Sequence, residues 1–172
     1  MKQILSAVLL TTALLTSTFA FCNPKKPFKI ASKEISLNSS FQQIKLGSYI
    51  QLVLVDDPTR TTVLIEGDEN YVSSVKVSIE KGVLSISSKP NLKKNGKIEV
   101  YVPVSNLSSI NVGAEASVRT QGVVKLDHLK VIVNDGSKTD LHIAGNLQIE
   151  PAEGCDFVYS TYDESKVVYV QK

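Results

Sequence analysis

The sequence predicts an all-β chain whose second half is a solenoid of short stacked strands, and three observations carry that prediction. From Phe28 onward, alternating apolar runs are separated by turn signals about every 8–12 residues, with no helix of convincing period. From Leu107 to Lys172 one unit is written three times as strand, small-residue corner, strand: Leu107 to Val118, Leu129 to Leu141, and Leu147 to Tyr159. The leading leucines Leu107, Leu129 and Leu147 are 22 and 18 residues apart, close to the length of one coil. A β-sandwich is the alternative. It needs hairpins, whereas these units are joined through Gly113-Ala-Glu-Ala-Ser and Asn134-Asp-Gly-Ser corners that keep the same order each time.

Met1-Lys2 is a positive leader, Ile4 to Leu15 is apolar apart from three hydroxyl residues, and Thr18-Phe19-Ala20 puts small residues before a cleavage site. Residues 1–20 therefore read as a secretory signal peptide, too short in its apolar run for a comfortable membrane span. No later stretch reaches transmembrane length. Residues 21–40, with Pro24 and Pro27, read as an N-terminal arm or linker, and residues 41–172 as the β-domain. A cysteine after a signal can also be a lipid attachment point, but Phe21 stands where a small residue is required before Cys22. Cys155 is the other cysteine, and two cysteines in an exported chain permit one disulfide, Cys22–Cys155.

Phe41, Ile44 and Leu46 begin the domain. In Tyr49 to Val55 both faces are largely apolar, which predicts burial on both sides until Asp56-Asp57-Pro58 stops the strand. Thr62 to Glu66 is a strand, Val75 to Ile79 and Val83 to Ser87 form a hairpin about Glu80-Lys81-Gly82, and Lys97 to Val104 is a strand with Pro103 at an edge or end.

A net charge of +2, falling to +1 without the leader, and five Phe, six Tyr and no Trp scattered along the chain argue against nucleic acid as a partner. No cofactor, zinc or hydrolase-elbow motif occurs, and His128 and His142 stand apart. Asn134, Asp135 and Asp140 make a weak candidate ligand or cation loop, with Lys138 opposing a cation. The acid pairs Asp56-Asp57 and Asp68-Glu69 would suit a carbohydrate-active enzyme on a β-helix, or simply turns. Lys93, Lys94 and Lys97 form a basic turn that either meets an anionic surface or guards a strand edge.

Phe41-Gln-Gln-Ile44-Lys-Leu-Gly47-Ser-Tyr-Ile50-Gln-Leu52, Val63 to Glu69, Gly82 to Ile86, Ile98 to Pro103 and Leu107 to Ala114 together resemble the auto-transporter adhesin head GIN domain family, in the same order and over most of the chain from Phe41 to Tyr159. The resemblance implies an exported bacterial protein with a right-handed β-helix-like fold and no established catalytic residues. Here the chain is shorter than many members, and Asn134-Asp135-Gly136 replaces a Ser-Gly-Ala-like corner. The expectation is a non-enzymatic binding or adhesion module of the cell envelope, in the periplasm or at the surface. It would take an extended partner such as polysaccharide or another envelope protein. A structural envelope protein without a small ligand is the other alternative.

Overall fold

The computed structural model describes residues 29–88, 98–161 and 166–170. In chain order the elements are β1 (Ile30–Ser36), β2 (Gln43–Leu46), β3 (Gln51–Val55), β4 (Thr62–Asp68), α1 (Glu69–Val72), β5 (Lys76–Glu80) and β6 (Val83–Ser87). They continue with β7 (Ile98–Pro103), β8 (Ser109–Val112), β9 (Ser117–Gln121), β10 (Val124–Val133), β11 (Lys138–Pro151), β12 (Asp156–Thr161) and β13 (Val167–Tyr169). The fold is all-β, and the described strands join into one mixed sheet.

The pairing resolves into two parallel ladders. One stacks β7, β3, β9, the first half of β11, and β12. The other stacks β6, β2, β8, the second half of β10, the second half of β11, and β13. From β6 onward the chain alternates between the ladders. Antiparallel pairs are confined to one end, where β4 and β1 extend the first ladder beyond β7 and β5 extends the second beyond β6. The repeated stretch thus pairs in parallel, with Val131 level with both Ile110 and Ile149. The first structural offset is 21 residues rather than the 22 read from the leucines, because Lys130 aligns with Ser109; the second is 18, as Leu129 aligns with Leu147.

The core lies between the ladders. Alternation puts Leu52, Leu54, Val100, Val118, Leu141 and Ile143 of the first ladder into it, against Ile44, Leu84, Ile110, Val131 and Ile149 of the second. Burying each such side chain contributes roughly 1.5–3 kcal/mol before the entropy of ordering it is subtracted.

One four-residue corner recurs where the chain crosses from the second ladder to the first: residues 47–50, 113–116, 134–137 and 152–155. Its third residue is always left-handed: Tyr49 (φ 62), Glu115 (φ 55), Gly136 (φ 67) and Gly154 (φ 73). Its first N–H donates to the carbonyl one layer away, as Gly47 does to Ile86 (2.8 Å), Gly113 to Leu46 (2.9 Å), Asn134 to Val112 (3.3 Å) and Ala152 to Val133 (2.8 Å). Its fourth side chain points inward, fully buried in Ile50, Ala116 and Ser137 and half-buried in Cys155. Gly113 is required by packing, since a Cβ there would lie 2.5 Å from Leu46 O.

Several sequence expectations sharpen. Leu52, Val53 and Leu54 are all buried, so β3 is covered on both faces, but the strand starts at Gln51 because Tyr49 is the left-handed corner residue. Glu80 opposite Val83 closes the expected hairpin, and Pro103 ends β7. Within the expected arm, Ile30–Ser36 pairs along β4 as an edge strand. The one-turn α1, N-capped by Asp68, was not legible as a helix because four residues carry no periodicity.

Candidate functional site

The outer face of the first ladder carries charges in rows. Arg119 on β9 reaches across Val53 of β3 to Glu99 of β7, its Nη2 standing 3.3 Å from Glu99 Oε2. Tyr101 donates its hydroxyl to the same oxygen at 2.7 Å. This clasp lies over Val53, which explains a fully buried valine on an outward position. The Tyr101 phenol is held above its ordinary value of 10.0, first because its proton is donated to Glu99 and then by burial. Farther along, Lys138 pairs with Asp156 at 3.0 Å, and His142 sits between Asp140 (Nε2 to Oδ1, 3.4 Å) and the Ser160 hydroxyl, which its Nδ1 meets. These pairs are part-exposed and contribute little to stability.

At one rim of this face, three loops enclose a cleft of about 330 Å³. They are the connections β1–β2, β3–β4 and β7–β8, and backbone bonds pin them together: Leu37 N to Thr61 O (2.8 Å), Val104 N to Val55 O (2.9 Å) and Ser108 N to Gln42 O (2.8 Å). Asp57 organises the middle loop, its Oδ1 accepting from the Thr59 hydroxyl at 2.7 Å and from the Thr59 N–H at 3.0 Å. Those two bonds hold its carboxyl below the usual value, with Arg60 adding a smaller pull in the same direction. Arg60 lines the cleft with Phe41, Pro58, Ser105 and Asn106. Its guanidinium makes no ion pair among the described residues, where Arg119, Lys130 and Lys138 each have one. A fixed fork of donors beside an aromatic ring and hydroxyl-bearing loops can hold a planar anion and the sugar or other polar body that carries it.

The sequence-predicted residues fall in several places. Asn134, in its corner, donates through Nδ2 to Val112 O at 2.6 Å and Asn111 Oδ1 at 3.1 Å. It lines a second recess of about 440 Å³ with Glu150 and Glu153, two acids that sequence reasoning did not connect with it. Asp135 stays in the corner, its carbonyl accepting from Glu115 N at 3.1 Å. Asp140 lies on the outer face of β11 with His142, so the three have separate partners. No group of three or more His, Cys, Asp or Glu suited to a metal ion occurs among the described residues. Asp57 and Asp68 each cap their own turn. Cys155 donates its thiol to Ala152 O at 3.1 Å, while Cys22 and the basic turn Lys93, Lys94 and Lys97 lie outside the described residues. Arg60 itself left no signal beyond its place after an Asp-Asp-Pro turn.

One mixed sheet with two parallel ladders, a recurring four-residue corner, a polar outer face and a loop-built cleft define the class as an all-β protein. No described helix is long and apolar enough to cross a membrane. The chain belongs to the family described as "Putative auto-transporter adhesin, head GIN domain", whose model matches residues 40–162. No protein of curated function matches it. Among solved structures it is similar to a "putative lipid binding protein" from Parabacteroides distasonis, with a TM-score of 0.56 and 16% identity, over 83% of this chain and 66% of that one. It is similar also to a "putative adhesin" from Parabacteroides merdae, with a TM-score of 0.48 and 15% identity, over 84% of this chain and 95% of that one. A "putative adhesin" from Bacteroides fragilis has a TM-score of 0.48 and 12% identity, over 86% of this chain and 99% of that one.

Proposed function

We propose that the protein is an exported, non-enzymatic binding module of the cell envelope, folded as a short β-helix-like solenoid, which takes an acidic sugar of a polysaccharide into the three-loop cleft. The solenoid reading is supported by the recurring left-handed corner and by ladders that gain one layer at each pass of the chain. Export is supported by the leader and by membership of an adhesin family. The carrying observation is Arg60, a guanidinium that lines the cleft without a salt bridge among the described residues, while the carboxylate of Asp57 in the same lining is taken up by Thr59. Phe41 offers the apolar surface that a sugar ring covers, and Ser39, Ser40, Ser105 and Asn106 offer hydroxyl and amide partners.

The carbohydrate-active enzyme is the weaker reading. A glycosidase needs two carboxyls within about 10 Å across one groove. Asp57 precedes the start of β4 and Asp68 is its last residue, the seven residues of the strand spanning roughly 20 Å, and both carboxylates are spent on turn and helix capping. The test is a glycan array carrying uronic-acid, phosphorylated and neutral oligosaccharides. Binding to the acidic members is expected, weakened about 10-fold or more by Arg60→Ala, a loss of about 1.4 kcal/mol. Equal binding by the variant, or a preference for neutral glycans, would overturn the assignment.

A further inference from the structure

The two ends of the ladders are treated differently. At the end where the antiparallel strands lie, the edge strands carry charges, Lys33 and Glu34 on β1 and Lys76 and Glu80 on β5. Such charges keep an edge from pairing with other chains. At the other end β12 and β13 both lie on the side of β11 away from β9 and β10, and each has β11 as its sheet neighbour among the described strands. Their outward backbone groups are therefore a template for another strand. Asp156 is the single charge in β12, already paired with Lys138, and β13 has none. Three of the five exposed large apolar residues among the described ones are here: Val158 at 61%, Val168 at 53% and Tyr169 at 52%. Between the ladders at this end, Phe157, Tyr159 and Tyr169 form a ring layer, with centroids 5.7 and 6.0 Å apart, that covers the core.

We propose that this end is the interface of a homodimer, in which β12 pairs antiparallel with β12 of a second copy about a two-fold axis at Val158. The register follows from side chain and charge. Centring on Val158 sets the two valines opposite each other and each Phe157 opposite Tyr159 of the second copy, an aromatic pair of the kind that stabilises antiparallel strands. It sets Asp156 opposite Ser160, whose hydroxyl meets the His142 ring, so an acid faces a serine–imidazole pair and no like charges oppose. Joining two equivalent ends closes the assembly, leaving the guarded β1 and β5 edges outermost and preventing open growth. The cleft and its Arg60 lie on other loops and stay accessible, so the dimer stands or falls apart from the ligand proposed above.

Sedimentation velocity of the protein across a concentration series tests this. A monomer–dimer equilibrium is expected. Val158→Lys, which places two cations directly opposite each other, should weaken it at least about 10-fold (about 1.4 kcal/mol). Ile30→Lys, on the exposed start of β1, should leave it unchanged. Circular dichroism and Tm establish that each variant is folded; Val158 is exposed in the monomer, so its replacement should not unfold it. A wild-type protein that stays monomeric would overturn the proposal. So would a Val158→Lys variant that dimerises like the wild type, or assemblies that grow without limit.

Discussion

At the residue scale, the core is apolar almost throughout, and its few polar members show how closely their surroundings must answer them. Ser137 donates its hydroxyl to Gly113 O at 2.8 Å, and the Thr120 Oγ1 accepts the His142 N–H at 3.0 Å. Thr139, level with Val118 on one side and Phe157 on the other, is the exception: its buried hydroxyl has no hydrogen-bond partner among the described residues. A buried hydroxyl without a partner costs its desolvation, so an isosteric methyl in its place should help. Thr139→Val is expected to raise stability by about 1 kcal/mol, read as a rise in the urea midpoint at unchanged m-value. Thr139→Ala removes the methyl as well and should gain less or lose, which separates the polar cost from the packing. A wild-type midpoint higher than that of the valine variant would mean that the hydroxyl is satisfied in solution.

At the element scale, strand existence was legible because alternation is a local property, and the β5–β6 hairpin was legible because Lys81 (φ 50) and Gly82 (φ 76) make the left-handed turn such a dipeptide favours. The corner was half legible. Gly113 and the Asn134-Asp135-Gly136 run announce themselves, but Tyr49 and Glu115 hold the left-handed position without being turn residues, so the sequence pattern predicts strand at Tyr49 in the first corner. Their backbone is set by the layers on either side, which no local pattern reveals. The cleft was illegible for the same reason, since it joins loops from three distant stretches. Gly145 shows the strictest demand. It lies within the long β11 where that strand passes from one ladder to the other, with φ at 139, and a Cβ there would stand 1.5 Å from Leu126 O. Gly145→Ala should therefore force the two layers apart and cost roughly 2–4 kcal/mol. Gly122 (φ +76) has nothing within 4 Å of an added Cβ, so Gly122→Asn should change stability by less than about 1 kcal/mol. Thermal unfolding of the pair checks this, and similar losses at both would put the cost in φ rather than in the approach of the layers.

At the scale of the whole molecule, the question is whether the ends are tied. Cys155 holds the inward fourth position of the last corner, level with Ser137, and by the strand registers Ala31 of β1 lies in the same row at the far end of the ladder. Six strand steps separate them, and at about 4.8 Å each the row is roughly 29 Å long. The free chain, from Lys29 (whose carbonyl accepts the Glu69 N–H) back to Cys22, can stretch about 25 Å, and the bridge itself adds about 5.5 Å between Cα atoms. Cys22–Cys155 is thus within reach of an extended arm, and it would staple the charged end to the open one across the ladder. We propose that this bridge forms in the exported protein. Because it closes most of the chain into one loop, reduction is expected to lower stability by about 2–4 kcal/mol, and Cys155→Ser should reproduce the reduced protein while being insensitive to reductant. Intact mass with and without reduction and alkylation decides it. Both thiols protected until reduction supports the staple, whereas acyl chains on Cys22, or two thiols that alkylate without reductant, would leave the arm unfastened and the ladder held by its core alone.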